Sequence, residues 1–363
     1  MSATWDLFLT DDEGRRLATL NDNGGFTLVL RYNGTGQFSI QLNYNMDWAA
    51  LGIFSGLPDN RIEFWRATPE VKRQLLAVGF IRKANITDTA LTISGPDQNG
   101  LLDTRIIAYD AGTSQTDKTD YADDMMKAVV YDNMGGGAPA GRDLTDYGFG
   151  IAGDLGLGPS IDMQFAWRPV RATLDKIAKV ASENGTRIYY GIEPVSPTEF
   201  LFKTWVGQPG IDRTSDLVFS IDRGLADPSL TLDYQQEITY VYAGGQGQGA
   251  ARDVQEVEDT ARSSASIFGR REGFRDARHV TAGDSDAVED AGYGMLAEGR
   301  PTRLFMATIL SVPSAQYGRD WNLGDRVTAQ FCGMKFECLI SKVRVVVRGD
   351  GSEEITAQLE WEA

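Results

Sequence analysis

The chain has 363 residues, with 51 acidic and 35 basic side chains and a formal net charge of −16. This length allows about two to four domains, and 42% apolar residues is typical of a globular protein. The acidic balance argues against binding to nucleic-acid phosphates, which depends on lysine and arginine. No stretch reaches the roughly 18 apolar residues of a membrane span. Because no signal-peptide pattern opens the chain, we expect synthesis in a cytoplasm and two free cysteine thiols.

The first predicted domain covers residues 1–103 and is mainly β. Apolar alternation predicts strands at 5–9, 26–32 and 38–42. One or two helical turns are predicted at 46–54. A β-unit then runs from 60 to 95, with a long strand at 75–86 and a short alternating strand at 90–95.

The second predicted domain is a small α+β insertion at 104–212. A helix is predicted from Ala122 with Asp120 as its N-cap, because apolar residues follow at helical spacing. The glycine-rich segment 133–159 is predicted to be a long surface loop or a loosely ordered connection. A second helix is predicted to begin at Pro169 and to end at Asn184-Gly185, followed by strands at 186–191 and 199–205.

The third predicted domain, 213–363, returns to β-structure. Strands are predicted at 217–221, 230–234 and 237–245, and residues 246–266 are predicted to form an exposed polar loop. A short helix near 284–298 is predicted to begin at Asp284 or Asp286, and a strand follows at 302–310.

The C-terminal block 319–361 is predicted to be a bent three-stranded meander. The apolar phase changes inside its long strand, 336–347, which predicts a bulge or sharp bend. Two-residue turns are predicted at Gly333-Met334 and, as type I′, at Asp350-Gly351. The block repeats the order of strands at 59–95. This similarity indicates either a duplicated β-unit or convergence between two ordinary meanders.

No residue set predicts a catalytic, cofactor or metal site. Residues 245–250 fit a dinucleotide fingerprint, but the polar tract that follows favours a hairpin loop. The acids Asp117, Asp120, Asp123 and Asp124 do not have the spacing of a calcium loop. His279 is the only histidine, and we expect it to be exposed or at an interface. A glycosidase pair of carboxylates is formally possible, but no pair stands out.

Six arginines are candidates for a contact with a partner subunit. The densest charge cluster in this acidic chain consists of four of them, and the other two open the strands of the repeated unit. The candidates are Arg270, Arg271, Arg275, Arg278, Arg61 and Arg326. A solvated surface is the alternative for the cluster.

The order of several segments resembles the tail hub proteins of long-tailed bacteriophages, also called baseplate hub or tail-tip proteins. The segments are 171–190, 238–252, 270–278 and 317–347, the last with Tyr317 and Leu323-Gly324-Asp325 at its start. The resemblance covers most of the chain and is closest from 170 to 361. The segment 133–159 has no counterpart in it.

The resemblance implies two similar β-barrel hub domains in one chain, separated by the helix-plus-strand insertion. It also implies a homotrimer whose six barrels match a six-fold tail tube, or a distal tail protein, above it. The other face would meet three-fold tip or fibre proteins and possibly the C-terminus of the tape-measure protein. DNA would pass through the channel without specific binding, since an acidic lumen repels phosphates.

We therefore interpret the chain as a structural virion protein without cofactor, made in the host cytoplasm and located in the virion tail. On this interpretation it is a non-enzymatic trimeric hub, and the chain alone does not insert into a membrane. A distal tail or other baseplate component is the first alternative. A β-rich glycosidase or carbohydrate-binding protein is the alternative of another class.

Overall fold

The computed structural model describes residues 3–43, 60–108 and 116–362. The helical turns predicted at 46–54 lie outside the described residues. The chain divides into two compact units: unit 1 comprises residues 1–228 and 307–360, and unit 2 comprises residues 229–306 and 361–363. No helix in the described part of the chain is long and apolar enough to cross a membrane.

Unit 1 begins with eight strands, and the strands predicted at its start are confirmed. They are β1 (Thr4–Thr10), β2 (Arg16–Thr19), β3 (Asn23–Arg31), β4 (Gln37–Asn43), β5 (Arg61–Ala67), β6 (Gln74–Phe80), β7 (Lys83–Ile86) and β8 (Ala90–Pro96). Four of them form a sheet in the order β2-β1-β5-β6. The long strand predicted at 75–86 is divided between β6 and β7, because the chain passes from this sheet into a second one.

The insertion of unit 1 combines two helices with short strands. Its elements are β9 (Thr116–Tyr121), α1 (Ala122–Met134), β10 (Phe149–Ile151), β11 (Ser160–Phe165), α2 (Val170–Glu183), β12 (Ile188–Pro194) and β13 (Phe200–Val206). The strands pair as β10-β13-β12 and β11-β9. Apolar side chains of both helices, among them Met126 and Leu174, share a buried core with Phe202 of β13.

Both predicted helices are present, with corrections at their first residues. The N-cap of α1 is Tyr121 and not Asp120, since Asp120 still belongs to β9. Pro169 is the N-cap of α2 rather than its first residue. Gly185 has φ +78°, so the predicted left-handed end of α2 is confirmed.

The rest of the chain adds the remaining strands of unit 1 and the elements of unit 2. Its elements are β14 (Val218–Phe219), β15 (Leu225–Asp233), β16 (Tyr240–Gly244), β17 (Val254–Glu258), α3 (Thr260–Ser264), β18 (Glu272–Asp276), α4 (Ser285–Glu298), β19 (Thr302–Leu310), β20 (Arg326–Phe331), β21 (Met334–Arg348) and β22 (Glu353–Glu362). Unit 2 contains a sheet of order β17-β16-β18, with Leu296 of α4 buried against Val241 of β16 and Val257 of β17.

Two predictions for unit 2 have different outcomes. Helix α4 is confirmed, and the Asp284 side chain caps it by accepting the backbone N–H of Ala287. The polar loop predicted at 246–266 is wrong in its second half, because β17 and α3 lie there. Both are short and mostly solvent-facing, with Val257 as the buried residue of β17, so apolar alternation gave little signal.

A ten-stranded sheet contains the same strand order twice. Its main path is β15-β19-β22-β21-β3-β4-β8-β7. The first four strands of this path and the last four follow the same chain order: the earliest strand of each set pairs with the next, that one with the last strand of the meander, and the last strand with the one before it. Residues 59–95 and 325–361 therefore resemble each other in the order in which their strands pair as well as in their sequence pattern.

Hydrogen bonds at the bend of each repeated strand set, 59–95 and 325–361, also show that the two sets are equivalent. The N–H of Ile81 donates to the carbonyl of Asn60 (3.1 Å), and the N–H of Ile340 donates to that of Asp325 (2.9 Å). The pairing register shifts between Ile340 and Lys342, so the predicted bulge in the long strand is confirmed. No closed barrel is found among the residues that the structure describes; the repeated strands share one open path.

Both turns of the meander differ from the prediction. Phe331 pairs with Met334, so the first turn is Cys332-Gly333, and both residues have positive φ (50° and 75°). The second connection has three residues, 349–351: the Arg348 N–H donates to the Ser352 carbonyl, and Gly351 has φ +78°. This is the three-residue hairpin loop with a left-handed last residue, rather than type I′. Cys332 and Cys338 are free thiols, as expected.

Candidate functional site

The predicted arginine cluster lies in unit 2, and each of its four side chains already has a carboxylate partner. The pairs are Arg270–Glu258 (3.6 Å), Arg271–Glu237 (3.5 Å), Arg275–Glu298 (3.2 Å) and Arg278–Asp276 (2.5 Å). The hydrogen bond from Arg278 holds the pKa of the Asp276 carboxyl well below its usual value. The cluster is thus neutralised within the chain, and a role for it at a subunit interface stays a prediction.

The other two predicted arginines occupy different environments. Arg61 is 7% exposed, and its guanidinium lies 5.7 Å from the ring centres of Phe80 and Phe200. Arg326 is half-buried and pairs with Glu337 on the neighbouring strand (3.3 Å). Arg61 therefore lies in the interior of unit 1 and not on its surface.

Two aspartates at the start of α1 hold the glycine-rich segment. Asp124 accepts the N–H groups of Leu155 and Gly156 (2.9 and 2.8 Å), and Asp123 accepts that of Leu157 (2.7 Å). Both carboxylates also contact the ammonium group of Lys127, at 3.2 and 3.0 Å. We define residues 155–157 as the clamped loop. The segment 133–159 is therefore not a loose connection in this part.

The charges of this cluster explain why it does not resemble a metal site. Lys127 and Asp123 are almost fully buried. Burial raises the pKa of Asp123, while at Asp124 the N–H donors and Lys127 outweigh the effect of burial and lower the pKa. The cation between the two carboxylates is thus the lysine. Within the described ranges, no group of histidine, cysteine, aspartate and glutamate side chains could hold a metal ion.

The remaining sequence candidates have structural roles. The glycine-rich residues 245–250 belong to the connection between the antiparallel strands β16 and β17, as expected of a hairpin loop. His279 is exposed. Asp325, of the Leu-Gly-Asp motif, is 2% exposed and accepts the N–H of Ile211 (2.7 Å) and the guanidinium of Arg213 (2.9 Å). The motif therefore fixes the chain that leads out of the insertion to the start of the meander.

Two surfaces of the insertion were not found from the sequence. The basic patch consists of Arg105, Ile106, Arg142, Trp167 and Arg168, with Ile106 44% and Trp167 56% exposed. The acidic patch consists of Asp120, Tyr121, Asp154, Leu155 and Leu157, with Leu155 61% exposed. The members of each are distant in sequence, so only the tertiary structure brings them together.

The ten-stranded sheet ends in two strands, β7 and β15, each with one paired neighbour on the described path. In the repeated order, β7 corresponds to β21 and β15 corresponds to β3. Inside the chain, β21 pairs with β3 along seven residue pairs, from Lys342–Arg31 to Arg348–Gly25. The two end strands are thus the equivalents of two strands that pair with each other.

Comparison with known proteins identifies related sequences and folds. The model of the family described as Siphovirus ReqiPepy6 Gp37-like protein matches residues 4–359. The solved structure of a tail protein from Neisseria meningitidis MC58 is similar, with a TM-score of 0.55 at 14% identity, over 98% of this chain and 96% of that one. No curated protein matches the chain at a significant level.

Two further solved structures have the same fold. The 43 kDa tail protein of prophage MuSo2 from Shewanella oneidensis gives a TM-score of 0.55 at 11% identity, with 98% of both chains covered. The prophage tail protein gp18 from Listeria monocytogenes gives 0.50 at 11% identity, over 97% of this chain and 94% of that one. At these identities the comparison concerns the fold.

Proposed function

Because the chain belongs to the Siphovirus ReqiPepy6 Gp37-like family, we propose that it is the trimeric hub of a phage tail, joining the tail tube to the tip. The coarser assignment, a structural protein of the phage tail, agrees with the family and with the fold of the similar tail proteins. The repeated strand order with its two end strands carries the finer proposal.

The end strands supply a way to close a ring. If β7 of one chain pairs with the first half of β15 of the next, it repeats the β21–β3 contact that already exists inside each chain. Such head-to-tail contacts close into a cyclic oligomer. Three chains would then present six copies of the four-strand set, and no copy would keep a free edge.

The chemistry of the two edges is compatible with this pairing. β7 carries Lys83 and an exposed Ile86, and the first half of β15 carries Asp227 and Pro228. Pro228 has no N–H, so at this position the ladder can use only the carbonyl oxygen. Opposite charges on facing edges would favour the pairing and set its register.

In the assembled tail, the acidic surface of the ring would face DNA that passes without sticking, since like charges repel. The tail tube or a distal tail protein would bind one face. Tip or fibre proteins, with the end of the tape-measure protein, would bind the other. A distal tail or other baseplate role is the second candidate, because a shared fold alone does not distinguish them. A glycosidase finds no support in the comparisons.

The mass of the assembly in solution tests the proposal. Sedimentation equilibrium of the full chain is expected to give three times the chain mass of 39.8 kDa. A stable monomer or a stable hexamer at concentrations that saturate assembly would overturn the trimeric hub.

A proline substitution tests the edge contact itself. The Thr87 N–H donates to the Ala90 carbonyl (2.9 Å), so by alternation the N–H of Ala84 points to the outer edge of β7. Ala84→Pro is expected to yield a folded monomer, because it removes an outward donor and leaves the β7–β8 ladder intact. Ala84→Val keeps the donor and serves as the control. Trimers of Ala84→Pro at wild-type strength would contradict the edge pairing.

A further inference from the structure

We propose that the basic patch of one insertion binds the acidic patch of the insertion in a second copy of this chain. Each patch combines exposed apolar side chains with charges of one sign. The contact would be separate from the β7–β15 pairing of the proposed hub, although it shares with it the assumption that the chain self-associates.

The basic patch concentrates positive charge without a carboxylate partner among the described residues. Arg105 Nε donates to the carbonyl of Arg142 (3.3 Å), and Arg142 in turn donates to the carbonyl of Ile106 and to Asn133 Oδ1 (3.2 Å). Burial and the nearby charge of Arg105 lower the pKa of Arg142. Since the arginines bind neutral acceptors, their charges are available to an acidic partner.

Apolar side chains stand beside these arginines. The Ile107 N–H donates to the Arg168 carbonyl (2.7 Å), and the Trp167 N–H donates to the Ile107 carbonyl (2.9 Å). Two antiparallel segments thus present Ile106 and Trp167 on the surface. Trp167 has φ +51°, which is uncommon for a large side chain and is maintained by this local pairing. Exposed tryptophan and isoleucine beside arginine are typical of the centre of a protein interface.

The acidic patch is held rigidly. Three backbone N–H groups of the clamped loop bind the carboxylates of Asp123 and Asp124, while Leu155 and Leu157 remain exposed. A Cβ on Gly156 would lie 3.9 Å from the Tyr121 ring, so the loop passes beside that ring. Burying a lysine and two carboxylates costs desolvation energy. A loop held in one shape loses less conformational entropy when it binds, so this cost is justified where the loop is a binding surface.

The two patches lie at opposite ends of α1. Tyr121 is the N-cap of this helix, and Asn133, which accepts from Arg142, lies in its last turn. Thirteen helical residues span about 20 Å, so one chain cannot bring its own two patches together without unfolding the helix. Charges of opposite sign at the two ends suit a head-to-tail contact in which each copy uses both patches.

The second copy is the occupant that charge complementarity favours. The chain has a net charge of −16, so most of its own surface repels the acidic patch and attracts the basic one. An isologous contact between two acidic patches would place Asp154 against its counterpart. The basic patch is a surface of the same chain that satisfies both the charge and the apolar requirement.

Disulfide trapping between two singly substituted chains tests the contact directly. Leu155→Cys and Ile106→Cys are prepared separately in a Cys332→Ser background, because Cys332 is exposed, and are then mixed under mild oxidation. We expect disulfide-linked heterodimers in the mixture, and few homodimers of either chain alone. Ser160→Cys, an exposed position outside both patches, replaces Leu155→Cys as the control.

Charge reversal provides a quantitative test. Arg168→Glu is expected to weaken self-association about tenfold, because it places like charges against each other, and Asp154→Arg in the facing copy is expected to restore much of the loss in mixtures of the two variants. Lys176→Glu changes the same charge at an exposed position of α2 and is expected to leave association unchanged. Near-ultraviolet circular dichroism shows whether each variant is folded.

The outcomes separate this inference from the hub proposal. The patch contact would be overturned, and the hub left intact, by two results together. The chain would form trimers without a 106–155 cross-link, and Arg168→Glu would self-associate as strongly as the wild type. Cross-linking in a chain that never forms a trimer would support the contact and overturn the hub. A monomer that gives no cross-link would overturn both.

Discussion

Arg66 of β5 and Glu353 of β22 form a buried ion pair between two distant parts of unit 1. The guanidinium donates to both carboxylate oxygens (2.9 and 2.8 Å), and the side chains are 8% and 15% exposed. The indole of Trp5 donates to the same carboxylate (2.6 Å), and Arg66 also donates to the Tyr317 carbonyl (3.3 Å). Removing one charge leaves the other without compensation in the interior.

Glu353→Gln is therefore expected to lower the free energy of unfolding by about 3 kcal/mol. The adjacent Glu354→Gln breaks the exposed Arg348–Glu354 pair, whose side chains are 55% and 48% exposed, and is expected to cost at most about 1 kcal/mol. Urea unfolding with unchanged m-values measures both. Equal losses of unfolding free energy in the two variants would show that the buried ion pair stabilises the fold no more than the exposed one.

Ionisation of the buried Asp97 carboxyl should make the free energy of unfolding depend on pH. Asp97 is 1% exposed, accepts the N–H of Gly36 (3.0 Å) and caps the short helical turn at 98–103. Burial raises the pKa of its carboxyl to about 7, despite hydrogen bonds from Asn99 and Gly36. Because the folded pKa exceeds the ordinary value, folding favours the protonated form. This contribution is complete below about pH 4 and disappears as the pH rises through 7.

The stability difference between the wild type and Asp97→Asn should therefore be most favourable to the wild type near pH 4 and should decrease towards pH 8. Denaturant unfolding at several pH values measures it. Asp350→Asn should show the opposite trend, since hydrogen bonds from Ser352 lower the pKa of Asp350 and its contribution is lost in acid. A pH-independent difference for Asp97→Asn would contradict the raised pKa.

At the scale of elements, β8 passes close to the point where the chain leaves β6 for β7. A Cβ on Gly95 would lie 1.8 Å from the carbonyl oxygen of Phe80 and 3.1 Å from the backbone N of Arg82. No L-residue fits there without moving backbone. The glycine therefore permits the crossing of one strand between two sheets.

Gly95→Ala is expected to destabilise the protein by about 2 kcal/mol or more, as overpacking against backbone does. Gly153 has no atom within 4 Å of an added Cβ and no positive φ, so Gly153→Ala should be neutral or slightly stabilising. Thermal unfolding compares the two. A Gly95→Ala protein as stable as the wild type would mean that the two strands separate at little cost.

The elements predicted best from the sequence are those specified by a pattern within the element itself. The phase change in β21 follows from alternation within one strand, and the start of α4 follows from Asp284 beside a helical apolar pattern. Strand β17 was missed because Val257 is its buried residue and its neighbours face solvent. Its existence depends on pairing with β16, which is a tertiary property.

The candidate surfaces follow the same rule. The arginine cluster is conspicuous in sequence, yet its partners Glu237, Glu258 and Glu298 are distant along the chain, and sequence could not indicate that they neutralise it. Conversely, Arg105 and Arg142 are 37 residues apart and carry no pattern. Charge density along the chain therefore does not show which charges are already paired, because ion pairing is decided in three dimensions, and an interface role of the cluster stays a prediction.

At the scale of the whole molecule, the repeated strand order predicts that unit 2 is an insertion in one copy of the strand set. In the first copy, β3 and β4 are joined by the short connection 32–36. In the second copy, the equivalent strands β15 and β19 are separated by 234–301, which contain most of unit 2. Because β3 and β4 are joined by a short loop, the equivalent strands β15 and β19 should also be able to be joined by a loop of a few residues.

Replacing 234–301 by residues 33–36 of the first connection, Asn33-Gly34-Thr35-Gly36, is therefore expected to leave a folded unit 1. Its buried core and both end strands of the sheet are kept, so the shortened chain should unfold cooperatively and form the same oligomer as the full chain. Circular dichroism, denaturant unfolding and sedimentation equilibrium measure these properties. Replacing the same residues by four serines is the control for the turn, since Asn33 has φ +49°, a conformation that asparagine adopts more readily than serine. A shortened chain with the native turn that stays unfolded would show that the two strand sets are not equivalent, and the repeat would then lose its value as the basis for a six-copy ring.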